Sequence, residues 1–332
     1  MKQHRNSRHA LRTALAATTM WLSALGGAVP SPAQAADYPD KRITVIVPYS
    51  AGTGIDVLTR SVGKALAERL GQPIVVDNRP GASGNMGIRA GAKAAPDGYT
   101  LVAILNTFTI NPAISAAGYD AAKDFEYIGM MTKSGMVLVT NDSLKASSLP
   151  ELVDLIRKEP GKYFYASTGI GSPQHMSMEL FKRAFGLDVT HVPHGNAAEA
   201  NVSLLAGQTN MMFMPINIAL QPLKTGRIKA LAAASATRDP NFPDLPTVAE
   251  SGAPGFDVGL WYGLVAPAGT PKPVVDKLTA NVQEIMKLPE IRKTLDGLGM
   301  TVDYMAPQAF RDYVLNELVR WNDIAQTAKV RD

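Results

Sequence analysis

The 332-residue sequence has no cysteine. Disulfides are therefore excluded, as is a lipid-modified N-terminal cysteine, and the fold has to be held by its core. Beyond residue 35 no stretch approaches the roughly 20 consecutive apolar residues of a membrane span, and there is no internal repeat or low-complexity tract. The nucleophile-elbow pattern G-x-S-x-G is missing. A net charge of one sign is missing as well, once the first segment is set aside. Residues 1–35 hold four of the 33 Lys and Arg residues and none of the 29 Asp and Glu, so the remainder carries 29 of each. The formal charge of +4 therefore argues neither for nucleic acid nor for an anionic membrane.

Those first 35 residues have the layout of a secretory signal peptide. Lys2, Arg5, Arg8 and Arg12 charge the start, an apolar run follows from Thr13 to Val29, and Ala33-Gln34-Ala35 supplies a small-residue cleavage site. Export across a membrane and a mature chain starting at Ala36 are the expectation. The remaining 297 residues suffice for two domains of about 150 residues each.

Apolar patterning predicts β-strand 43–47, helix 55–70, strand 73–77, helix 85–94 and strand 99–105, a βαβαβ unit with a parallel sheet. A second α/β unit follows: helix 151–158, strand 163–166, helix 175–185, strand 189–192, helix 197–205, and strands 209–213 and 228–234. A strand at 258–266 and three helices opening near Pro271, Pro289 and Pro307 form a tail expected to return to the first unit. The chain would cross between two lobes near 137–142 and near 255–260, making a two-segment hinge with a cleft. The expected division is 36–138 plus 258–332 for lobe 1 and 139–257 for lobe 2. Ligands of open α/β sheets bind beyond the carboxyl ends of strands, which points to the loops after Val47, Leu105, Ala166, Val192 and Phe213.

Two of those loops are rich in small residues and run into helices. Pro48 to Asp56 follows the first strand, and Ser167 to His175 follows the strand ending at Ala166, with Ser172 placed as an N-cap and Pro173 at the first helical position. Backbone N–H groups and the helix dipole at such starts favour an anion. A dinucleotide fingerprint is incomplete, since Val57 stands where a third glycine belongs, although Asp77 sits at the expected distance. A hydrolase would use Ser167 or Ser172 with His175, His191 or His194 as base, but capping explains the Ser172/His175 pair more economically. His191 and His194 lack further ligands for a metal. His191 is assigned to packing and His194 to a cleft contact. Met211, Met212 and Met214 are assigned to packing and the cleft edge, and Trp321 to a helical core stripe.

Several ordered stretches carry a resemblance: Pro48 to Asp56, Leu70 to Ala82, Ala95 to Leu101, Asp124-Phe125-Glu126, Gly171 to His175, His191-Val192-Pro193, Leu245 to Glu250, and Trp261 to Pro267. Over essentially the whole mature length the chain resembles the periplasmic binding components of tripartite tricarboxylate transporters, the Bug family. The resemblance implies an α/β, type II periplasmic-binding-protein fold whose two lobes close on a ligand. It implies a ligand carboxylate held by Tyr49, Gly52, Thr53 and Asp56 on one lobe, with Asp56 supporting the loop, and by Ser167, Thr168, Gly169, Gly171 and His175 on the other. Ser50, Ala51, Thr107, Ser172, His194, Asn196 and Pro215 complete the candidate ligand-binding set.

Ser50 stands where the family commonly has proline, Thr53 where it has glycine, and His194-Gly195-Asn196 replaces a tyrosine-containing turn. Gly207-Gln208-Thr209-Asn210 replaces a common Gly-Gln-Val-Asp. The expected function is periplasmic capture of a di- or tricarboxylate, aromatic acid or amino acid by a monomer, for transporter permease subunits. The alternatives are a ligand sensor and a secreted serine hydrolase. No catalytic residue, metal or cofactor is expected.

Overall fold

In the computed structural model, which describes residues 38–239 and 242–327, the β-branched run at Ile43–Val47 forms β1, buried except for the half-buried Thr44. Such a run suits a strand covered on both faces. The signal-peptide expectation lies outside the described residues. Helix α1 (Gly54–Leu70) follows and ends at Gly71, whose left-handed φ of 69° lets its N–H reach the Ala67 carbonyl. Then come β2 (Ile74–Asn78), a 3-10 turn (Ala82–Gly84), α2 (Asn85–Ala92) and β3 (Thr100–Leu105). Both β2 and β3 pair in parallel with β1.

The sequence patterning passed over two elements that come next, α3 (Thr107–Ile114) and β4 (Phe125–Ser134). The sheet has the order β11-β4-β10-β3-β1-β2, in which β10 (Leu260–Pro267) runs antiparallel to β3 and β4, and β11 (Met300–Met305), also unforeseen, is an edge. Helices α8 (Lys272–Ile285), α9 (Pro289–Gly297) and α10 (Pro307–Thr327) return to this lobe. Phe108, Phe125, Tyr127, Trp261 and Phe310 form its aromatic core, with edge-to-face pairs at 5.2–5.5 Å.

The second lobe is built from β5 (Met136–Thr140), α4 (Leu149–Lys158), β6 (Phe164–Ser167), α5 (Pro173–Phe185), β7 (Thr190–Pro193), α6 (Ala197–Leu205), β8 (Met211–Pro215), α7 (Ile216–Lys224) and β9 (Lys229–Ala233). Its sheet has the order β7-β6-β8-β5-β9, and β6 is parallel to both neighbours. Met212 and Met214 pack in its core against Val137, Val139 and Ile216.

One expectation needs correction. Residues 137–142 do not cross between lobes, because Met136–Thr140 is β5 of the second sheet, paired with β8 and β9. Asn141 also belongs there, donating to the Leu204 and Thr209 carbonyls. The passage is Gly135 alone, after the polar run Thr132-Lys133-Ser134 that parts the apolar residues of β4 from those of β5, a break the sequence reading passed over. The return passage is at Val258-Gly259: Val258 donates to Ala234 of the second lobe, and the Gly259 carbonyl accepts from Asn106 of the first.

Candidate ligand-binding site

On the first lobe, the Pro48 to Asp56 loop is organised around the Asp56 carboxylate, which is 2% exposed. It accepts from Gly52 N–H at 2.9 Å, Arg60 Nε at 3.1 Å and Asn78 Nδ2 at 2.9 Å. Burial works against its charge, yet Arg60, Gly52 and Asn78 together hold its pKa below the usual carboxylate value. Gly52 takes φ +82°, a left-handed conformation that glycine adopts without penalty. Thr53 occupies the N-cap but makes no cap: its hydroxyl donates to the Ser50 carbonyl at 2.8 Å. The N–H groups of Gly54 and Ile55 consequently bond to no described residue. Ser50 and Ala51 are exposed.

Beside this helix start, Tyr49 Oη hydrogen-bonds Thr107 Oγ1 at the start of α3. Tyr262 Oη lies 3.8 Å from where a Gly54 Cβ would be. Burial pushes both phenols up, so each remains a neutral O–H throughout the physiological range.

On the second lobe, Ser172 caps α5 by accepting His175 N–H at 3.3 Å. Gly171 N–H donates to His175 Nδ1 at 3.1 Å, Gly169 N–H to Ser167 Oγ at 3.1 Å, and Thr168 Oγ1 to Gln174 at 3.0 Å. The expected loop donors are thus partly consumed: Gly52, Gly169, Gly171 and Ser172 all spend their N–H groups inside their own loops. Gly54 and Ile55 on one side, and Thr168 and Ile170 on the other, keep N–H groups with no bond to a described residue.

Beneath this loop His175 and His191 stack at 4.1 Å, and Tyr165 stacks on His191 at 4.7 Å. Burial, with Lys182 adding, lowers the His175 pKa to about 4. Burial, with His175 adding, lowers that of His191 to about 3. His191 Nε2 lies 2.6 Å from Ser167 Oγ, the distance of a nucleophile–base pair. Yet Ser167 is fully buried, and an imidazole with a pKa near 3 has almost no affinity for the proton it would have to remove. Among the described residues no three His, Asp or Glu side chains are grouped to hold a metal.

The two loops meet. Ser83 Oγ reaches the Ile170 carbonyl at 3.5 Å, and a Cβ on Gly171 would lie 2.1 Å from Ile114 Cδ1 and 3.6 Å from Asn111 Oδ1. Asn111 in turn donates to the Ser83 carbonyl at 3.0 Å and to Asn85 Oδ1 at 2.7 Å.

The other nominated residues are more scattered in role. Asn196 caps α6, accepting Glu199 N–H at 3.0 Å, while Glu199 accepts from Gly195 N–H and from the Asn196 amide. Asn-x-x-Glu is a capping signature that could have been read from the sequence. Pro215 is buried at the junction of β8 and α7. His194 is half-buried in the turn after β7, its N–H donating to the Ser167 carbonyl at 3.0 Å. Sequence reasoning did not nominate Asn78, Arg60, Gln174, Ser83, Asn111 or Tyr262; Gln174 and Arg60 lie close in sequence to nominated residues, while only the fold brings Asn78, Ser83, Asn111 and Tyr262 to the site.

A cavity of about 330 Å³ lies elsewhere, beside the two lobe crossings, and none of the nominated residues lines it. Its walls include Gly135, Gly259, Arg320 and Trp261, whose indole N–H is enclosed and unpaired. The start of α1 and the loop before α5, rather than this hinge cavity, carry the open donors suited to an anion.

Comparison with known proteins agrees with this geometry. The profile of the tripartite tricarboxylate transporter family receptor, TctC, matches residues 58–330. The protein BugT of Bordetella pertussis is 31% identical over 301 residues, covering 90% of this chain and 92% of its own. Among solved structures, the periplasmic binding protein BugD is 32% identical with a TM-score of 0.79, covering 89% of this chain and 99% of its own. R. palustris Rpa4515 with adipate is 32% identical at TM-score 0.81, covering 88% and 98%. MatC from Rhodopseudomonas palustris with bound malate is 34% identical at TM-score 0.78, covering 86% and 99%. A methylphosphonate-binding protein of Prochlorococcus marinus, 14% identical at TM-score 0.55, shares the two-lobed fold alone. The chain belongs to the TctC family of tripartite tricarboxylate transporter receptors and is a solute-binding protein, not an enzyme.

Proposed function

We propose that this receptor captures a small carboxylate in the periplasm and presents it to the membrane subunits of a tripartite tricarboxylate transporter. One observation carries the reading: the start of α1 is uncapped, so Gly54 and Ile55 offer N–H groups that bond to no described residue, beside neutral phenols and with the nearby Arg60 paired to Asp56. Such donors receive an anion without burying a countercharge, whose desolvation is expensive. The adipate and malate held by relatives of 32% and 34% identity support the same ligand class. Residues 1–35 act as the export signal in this proposal, and the mature chain works as a monomer. Its lobes divide at Gly135 and at Val258-Gly259.

Native mass spectrometry of freshly purified mature protein is the first test, with a carried-over carboxylic acid as the expected mass. Calorimetry on that acid and its methyl ester follows. Each lost donor–acceptor match should weaken binding by about 1–3 kcal/mol. An ester that binds as tightly as its acid would overturn the proposal.

A further inference from the structure

The cavity beside the two lobe crossings has no part in the carboxylate site. At about 330 Å³ it falls within the range of small-molecule sites, which favour the junctions between domains. One wall is a face of α10, where Tyr313, Glu317 and Arg320 recur at helical spacing. The other is the second lobe's chain after β9 and before the return passage, with Ser235, Arg238 and Asp257. The cations of the lining are already matched: Lys133 pairs with Asp303 at 2.8 Å, Arg238 with Glu250 at 3.0 Å and Arg320 with Glu317 at 3.3 Å. Lys133 and Arg320 also lie over the Tyr313 and Trp321 rings, at 5.2 and 5.4 Å. An anion therefore finds no unpaired cation among these three, and a ligand cation finds those ring faces taken. What is left open is hydrogen bonding. Tyr313 Oη bonds to no described residue, and burial followed by Glu317 and Asp257 pushes its pKa up, so it stays an O–H near the carboxylates of both walls. Among the described residues the Asp257 carboxylate accepts from Ala236 N–H alone, at 3.1 Å. A donor without an acceptor and an acceptor with spare lone pairs are both met by one kind of group, the hydroxyl, which gives and takes.

We infer that the hinge cavity is a second binding site, separate from the carboxylate site, for a small neutral polyhydroxyl compound. Several hydroxyls on one carbon skeleton let one oxygen accept from Tyr313 while another donates to Asp257, joining a first-lobe wall to a second-lobe wall. A monohydric alcohol serves one of the two and leaves the other to water. The volume holds about ten water molecules, which sets the ligand at about that many non-hydrogen atoms. Tetritols, pentoses and hexoses are of this size.

Trp261 and Trp321 are the only tryptophans after residue 35, and both line the cavity. Their two indole resonances in ¹⁵N-labelled mature protein therefore report on it directly. The titration uses erythritol, glucose and myo-inositol, with cyclohexanol, choline and sulfate beside them. At least one of the three polyols should move the indole resonances saturably, with a Kd below about 10 mM, and the other three compounds should bind at least about 10-fold more weakly. Tyr313→Phe, which keeps the ring, and Asp257→Ala should each weaken the polyol by about 5-fold or more. The wild-type titration needs no variant to fold. Indole resonances unmoved by all three polyols, tighter binding of choline or sulfate, equal binding of cyclohexanol, or an unchanged polyol affinity in either folded variant overturns the inference. None of these outcomes touches the carboxylate reading, which other ligands test at other residues.

Discussion

Asp56 shows how one carboxylate can serve an anion site without touching the anion. Its negative charge is used up by Gly52, Arg60 and Asn78, and in being used up it sets the loop that leaves Gly54 and Ile55 open. Asp56→Asn would put an amide where three donors converge, and should lower stability by about 1–3 kcal/mol. Urea unfolding reads this directly, and an unchanged midpoint would sink the role given to Asp56. The stacked histidines supply a second expectation at this scale. Both titrate near 6.5 when unfolded but stay neutral in the fold down to about 4 for His175 and about 3 for His191. Between those values the unfolded chain binds more protons, so their contribution is complete above pH 6.5 and drains away as pH falls toward 4. For His175 alone the loss is of order 3 kcal/mol. Denaturation midpoints at pH 7, 6 and 5 should decline in wild type. They should decline less in His191→Phe, which keeps a stacked ring but not its nitrogens. Equal wild-type midpoints at pH 7 and 5 would rule this out.

The elements depend on each other across the cleft most visibly at Gly171. Alanine there meets two penalties: a φ of +74°, present in any arrangement of the lobes, and a clash with Ile114, present only when the lobes are together. Gly186→Ala isolates the first, since Gly186 has φ +63° and nothing within 4 Å of the added Cβ. Both variants should lose about 1 kcal/mol of stability, but only Gly171→Ala should also weaken binding, by about 10-fold, since one further 1.4 kcal/mol is a tenfold change. Equal affinities in the two variants would remove the cross-cleft contact from the account. Gly171 also marks the limit of what the sequence disclosed. The cap at Ser172 and the glycine-rich loops were legible, because caps and turns are written in neighbouring residues. Ile114 and Asn111 were not, because α3 (TFTINPAI) is buried nearly all round and so shows no amphipathic stripe. Strand β4 hid for a related reason: it lies between β10 and β11 and is buried on both faces, without the alternation that announces a half-exposed strand. Helix α7 follows β8 without a loop, and the one mark between them, Pro215 at the junction, was not read as a boundary.

At the scale of the molecule the sequence pointed to two α/β lobes joined twice, and the fold has two mixed sheets with passages at Gly135 and at Val258-Gly259. Shifting the first passage by a few residues matters because it hands Met136–Thr140 to the second sheet, where it pairs with β8 and β9 and anchors the strand that leads into α7. That the Arg60 charge is spent on Asp56 has a kinetic consequence. Backbone dipoles act over the first turn of a helix, whereas whole charges steer a ligand from a Debye length away. This receptor should therefore gather its anion by plain diffusion, with an association rate that changes less than about twofold between 20 and 300 mM salt in stopped-flow measurements. A steep decline with salt would reveal a cationic funnel beyond the paired Arg60 and Asp56. A receptor of this kind would keep its capture rate in fresh water and in brine alike.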